Sequence, residues 1–139
     1  MADVKIVLDG ARMAALLRSP AGPVGRHMIE RAEIVKQAAK AKANHKTGCL
    51  EDSIVKRVEE DPVTGFRIRI VADTTPCSPE RKSYALWVHE GSQPHAITAR
   101  EGGVLSFVSH GERIFAKSVQ HPGYKGNKFL SDALPLAVV

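Results

Sequence analysis

The chain has 139 residues, 43% of them apolar, 25% charged and only 5% aromatic, with a formal net charge of +5. That length fits one domain with a core of Val, Ile, Leu and Ala, long enough to be built without disulfides or metal. The modest basic excess favours contact with something acidic, whether nucleic acid, anionic lipid or a negatively charged protein ring.

In chain order, Val4 to Leu8 reads as a strand or as the lead-in to a helix. With Asp3 and Asp9 around it, the run is too short for a signal peptide or a membrane span. Asp9 or Gly10 caps a brief helix that carries Met13, Leu16 and Leu17 on one side, and Ser19, Pro20, Gly22 and Pro23 interrupt it. Residues 1–23 are therefore expected as an N-terminal arm with a short helix.

Val24, Met28, Ala32, Val35, Ala39 and Ala43 recur at steps of three and four, which predicts one long helix from Val24 to about Asn44. Pro23 suits its first turn, and Thr47 with Gly48 is expected to end it. Arg26, Arg31, Lys36, Lys40, Lys42 and Lys46 face only Glu30 and Glu33 along this stretch, a pattern that reads first as a solvated face.

Phe66, Ile68 and Ile70 alternate with Arg67 and Arg69, as a half-buried strand requires. Together with Ser53 to Glu60 and a turn at Asp61 to Thr64 they predict an antiparallel hairpin. Asp73 to Ser83, with two prolines and little apolar content, is expected to be a mobile loop.

Tyr84, Trp87 and Val88 then supply one of the few aromatic clusters. Ala96–Ala99, Val104–Val108 and Ile114–Val119 read as three short strands with Gly102-Gly103 and His110-Gly111 at their corners. After a His121-Pro122-Gly123 turn, Asn127 caps a last helix with Phe129, Leu130, Ala133 and Leu134 on its apolar side until Pro135 stops it. The predicted fold is α+β in a single domain, a mostly antiparallel sheet with a long helix from the N-terminal half and a short C-terminal helix packed on it.

No residue pattern in the chain is built for bond-making chemistry. His89 and His95 form the nearest histidine pair in sequence, but Gly91 and Pro94 lie between them, so no rigid element fixes a metal geometry. Cys49 and Cys77 belong to no Cys-x-x-Cys pair and are expected as reduced thiols in a cytosolic setting, with Cys49 just past a helix C-terminus where a thiolate is disfavoured. Glu51-Asp52 and Glu59-Glu60-Asp61 lie in polar surroundings, which argues against raised acidity. The stretch from Gly123 to Lys128 lacks phosphate-loop spacing. No enzyme activity, cofactor or metal is expected. Arg31, Lys36, Lys40, Arg67 and Arg69 are the candidate residues facing DNA or an acidic partner, through loose backbone contact, and a basic nucleic-acid-binding module is the alternative reading.

Several weak motifs occur in a definite order: Thr47-Gly48-x-Leu50-x-x-Ser53-Ile54, Tyr84-Ala85-x-x-Val88-x-x-Gly91-Ser92, Leu105-x-Phe107, His121-Pro122-Gly123 and Phe129-Leu130-x-x-Ala133-Leu134. Over about residues 24–134 the chain resembles the tail-component family of long-tailed bacteriophages and prophages, whose members serve as neck, head–tail joining, tail-completion or tail-terminator proteins. The resemblance implies a small α+β subunit that forms a ring, commonly of six copies, between the capsid's portal assembly and the tail tube. DNA passes through its centre. It implies as partners further copies of the chain, the portal, adaptor or stopper proteins of the neck, and the tail tube protein, with no membrane. Its place is the virion, reached from the host cytoplasm during assembly.

Tyr84, Trp87, Val88, His121, Tyr124, Phe129 and Leu130 are the candidate interface residues, since buried aromatic side chains dominate binding energy. For Trp87 the alternative is a place in the core.

Overall fold

The computed structural model describes residues 7–77 and 82–138. It divides into two compact units, residues 1–85 with 128–139 and residues 86–127. The class is α+β, with every ladder antiparallel.

The first unit begins with α1 (Gly10–Leu17), where the Asp9 carboxylate accepts hydrogen bonds from the Ala11 and Arg12 backbone N–H groups at 3.0 and 3.1 Å. This is the cap expected from the sequence. Most of the run from Val4 to Leu8 lies outside the described residues; Val7 and Leu8 are exposed and in no regular element. A long helix follows, α2 (Pro23–Lys42), with Pro23 in its first turn.

Thr47 and Gly48 do not end α2. Ala43 caps it in an extended conformation, and Gly48, at φ +81°, instead starts a one-turn helix, α3 (Cys49–Asp52). The glycine supplies the left-handed residue the sequence called for, at the start of the next element rather than the end of the last. Cys49 therefore sits at a helix start.

β1 (Ile54–Asp61) and β2 (Gly65–Ala72) form the predicted hairpin, registered from Ile54 opposite Ala72 to Asp61 opposite Gly65. Pairing puts Ile54, Phe66, Ile68 and Ile70 on one face and Arg57, Arg67, Arg69 and Glu59 on the other. Lys56 ties the apolar face to α2, donating to the Ile29 carbonyl at 3.3 Å and pairing with Glu33 at 3.0 Å. The last helix expected after Asn127 is not α-helical: residues 129–133 form turns and Leu134–Ala137 a 3₁₀ turn that lies against α2. Pro135 sits inside this 3₁₀ turn, whose first positions tolerate a residue without N–H. Val35, Ala39, Leu50, Ile54, Phe66, Ala85, Phe129 and Ala133 make the core.

Cys49 and Cys77 are joined in a disulfide, with Cα atoms 6.1 Å apart. This corrects the expectation of reduced thiols. β2 returns the chain beside α3 and a 3₁₀ turn (Thr75–Cys77) follows it, so residues 28 apart in sequence meet. The cysteine-based argument for a reducing compartment loses its support. The base of the predicted 73–83 loop is clasped as well: the Thr74 N–H donates to Ser83 Oγ at 3.1 Å, and the Tyr84 N–H donates to Thr74 Oγ1 at 2.9 Å. Residues 78–81 of that loop lie outside the described residues.

Two carboxylates of this unit are held at about 2, below their ordinary values of 4.5 for Glu33 and 3.8 for Asp61. Hydrogen bonds from Lys36, Gln37 and Lys56 lower Glu33. The backbone N–H groups of Thr64 and Val63, and then Arg67, lower Asp61. Because the folded protein binds fewer protons than the unfolded chain here, the stability from these groups is complete above pH 4.5 and is lost as pH falls through about 2. Denaturant titrations across this range should show that acid slope, and Asp61→Asn should flatten it while lowering stability at neutral pH.

The second unit contains most of α4 (Ala85–Glu90), β3 (His95–Thr98), β4 (Leu105–Ser109), β5 (Glu112–Ala116) and β6 (Ser118–His121). The predicted strand Ile114–Val119 is two strands, because Lys117 breaks the run and β5 pairs with β4 while β6 pairs with β3. The sheet expected as one is thus three separate two-stranded ladders.

Candidate assembly interface

The second unit is fastened by a crossing of two backbone segments rather than by a core. Ser92 and Tyr124 exchange backbone hydrogen bonds at 2.8 and 2.9 Å, and the Asn127 N–H donates to the Val88 carbonyl at 2.8 Å. So close an approach needs glycine. Gly91, Gly123 and Gly126 all have φ between +82° and +86°. A Cβ on Gly91 would lie 2.1 Å from the Tyr124 carbonyl oxygen, and one on Gly123 2.5 Å from that of Ser92.

Around this crossing the aromatic side chains stay outside. Trp87 is 62% exposed, which decides against a core role, and Tyr124 is also exposed. Both line an open groove with Glu90, Gln93, His95 and Lys125. The structure brings His121 to His95, its partner in the β3–β6 ladder, with ring centroids 5.1 Å apart. Their Nδ1 atoms are already engaged: His95 Nδ1 donates to the Gln93 carbonyl at 2.8 Å, while His121 Nδ1 accepts from the Gly123 N–H at 3.0 Å. The His121 proton therefore resides on Nε2, which makes that atom a donor rather than a metal ligand. Among the described residues no group of three or more His, Cys, Asp or Glu side chains is gathered to hold a metal ion.

The β4–β5 hairpin carries apolar side chains on both faces. Register places Leu105, Phe107, Ile114 and Ala116 on one face and Val108 and Phe115 on the other. Val108 is 66% and Phe115 62% exposed, and Phe107 and Ile114 also reach solvent. His110 (φ +52°) and Gly111 (φ +85°) make its two-residue turn, the geometry a tight hairpin prefers. Among the described residues no apolar side chain of this unit is buried; every residue of the core belongs to the first unit.

The seven candidate interface residues divide by burial. Tyr84, Trp87 and Tyr124 are exposed, and Val88 and His121 are half-buried. Phe129 is completely buried and belongs to the core of the first unit, while Leu130 is half-buried and lines a cleft of that unit. Phe107, Val108, Ile114 and Phe115 were missed as a group. Their signal was present: Val104-Leu105-Ser106-Phe107-Val108 puts apolar residues at both parities of a strand, which suits a strand covered on both sides.

The basic candidates divide too. Lys36 pairs with Glu33, Arg67 with Asp61, and Arg69 with Glu59 at 3.5 Å. Among the described residues Arg31 and Lys40 make no ion pair, and both are half-buried. Three of the five candidate basic side chains thus have a carboxylate beside them. Among the described residues no helix is long and apolar enough to cross a membrane. No protein-family model, curated protein or solved structure matches the chain.

Proposed function

We propose that the protein is a non-enzymatic structural subunit of a tailed-phage virion. Copies of it form a ring, with six as the expected number, at the head–tail neck or the tail end, completing the tail and joining it to the portal complex. The ring contacts neck proteins and the tail tube, and DNA passes through it. The phage assignment comes from the ordered motifs between residues 24 and 134.

What supports assembly is one observation: the second unit orders residues 86–127 without burying an apolar side chain among those described. Ordering a residue costs about 1–2 kcal/mol of backbone entropy, and burial returns only about 25 cal/mol per Å² of apolar surface. Such a unit gains its missing burial from neighbours. A closed ring gives each copy a neighbour on either side, and the exposed apolar side chains of the hairpin are surface that a neighbour would cover. Passing DNA would meet Arg31 and Lys40 at most through loose, salt-sensitive contact.

Light scattering on the purified protein should give a closed oligomer, and electron microscopy of a phage lacking the gene should show unjoined heads and tails. Normal infectious tailed particles without the protein would defeat this reading.

A further inference from the structure

The hairpin face that bears Val108 and Phe115 also bears Arg113, which is directly opposite Val108 in the register. Arg113 is exposed and makes no ion pair among the described residues. A surface that receives this face must therefore be apolar and must supply a carboxylate.

Of the recesses of the first unit, that beside the disulfide is the smallest, about 240 Å³, and has Arg57 in its lining, which leaves two larger ones to receive the hairpin. The cleft between α2, β2 and the C-terminal 3₁₀ turn, about 440 Å³, is lined by Met28, Ile68 and Leu134, but its charged lining residue is Arg31. Arg113 brought there would face like charge, which costs association energy. The other recess, about 530 Å³, lies between the α1–α2 turn and the end of the β1–β2 hairpin. Pro20, Val58 and Pro62 give it an apolar floor. Of its three carboxylates, Glu59 is paired with Arg69 and Asp61 with Arg67, while Glu60 is exposed and has no ion pair among the described residues.

We propose that the β4–β5 hairpin of one copy docks in this second recess of a neighbouring copy, with Val108 and Phe115 on Val58 and the prolines and Arg113 against Glu60. This deepens the ring reading and rests on it. Hairpin and recess are different surfaces of one chain, so the contact is head to tail. Each copy uses its hairpin on one neighbour and its recess on the other, which makes a ring where the rotation from copy to copy closes.

Charge reversal tests it on the full-length protein. Arg113→Glu and Glu60→Arg each place like charges across the contact, and each alone should weaken association at least about tenfold by sedimentation. Mixed in equal amounts, the two variants present opposite charges at every contact of an alternating ring, so assembly should return. Circular dichroism of each variant checks that it is folded, and recovery on mixing also shows that both were competent. Wild-type association with either variant alone, or no recovery from two folded variants, overturns the placement. If Arg31→Glu strengthens or weakens assembly while Glu60→Arg leaves it intact, the hairpin docks in the other cleft and the placement is wrong although the ring stands. A wild-type protein that stays monomeric at every concentration removes both.

Discussion

Replacing Phe129 with alanine should destabilise the first unit by about 3–5 kcal/mol, the cost of removing a large side chain from a well-packed core. Phe129 has no solvent exposure and is the largest fully buried side chain among the described residues. At about 4–8 °C per kcal/mol for a small domain, the thermal midpoint should fall by at least about 12 °C. Calorimetry measures this directly. A midpoint within a few degrees of wild type would mean that the segment after residue 128 is not part of the core.

Gly91→Ala should act on the other unit and leave the first alone. The added Cβ meets the Tyr124 carbonyl oxygen at 2.1 Å and the Gly126 nitrogen at 2.8 Å, both backbone atoms that no rotamer change can move. Holding a non-glycine residue at φ +86° adds a further conformational cost of about 1–3 kcal/mol. With no buried apolar side chain among its described residues, the unit has little to set against these costs. The crossing should open, and the Ser92, Tyr124 and Asn127 amides should lose protection from hydrogen exchange while β1 and β2 keep theirs. Assembly should fail with it. Unchanged protection at Ser92 and Tyr124, together with normal assembly, would show that the crossing is dispensable.

The elements that were legible from sequence are those whose signals are local and repeated. α2 announced itself through the steps from Val24 to Ala43, and the β1–β2 hairpin through Phe66, Ile68 and Ile70 alternating with arginines. Asp9 was readable as a cap because the bond it makes spans three residues at most. Contacts made over distance were not legible. Nothing near Cys49 points to Cys77, and nothing near Gly91 points to Tyr124, because both meetings depend on how intervening strands return the chain. Gly48 belongs to a different element from the one its local sequence indicates: a left-handed glycine ordinarily follows a helix end, and here it precedes a helix start.

The candidate interface residues differ in burial. Trp87 and Tyr124 were chosen as scarce aromatic residues, and both reach solvent. Phe129, expected on the apolar side of the last helix, is core, since residue type alone does not separate a side chain that anchors a partner from one that anchors its own fold. The apolar faces of β4 and β5 escaped notice because Ile114 to Val119 was read as one strand, and the break at Lys117 changes which strand each half pairs with.

The most direct test of the central claim is hydrogen exchange of residues 86–127 measured on dilute monomer and on assembled protein. If neighbouring copies supply the burial this unit lacks, the β4 and β5 amides should exchange rapidly in the monomer and become protected in the oligomer, with the β1–β2 amides protected in both. Equal protection of β4 and β5 in both states would contradict the account.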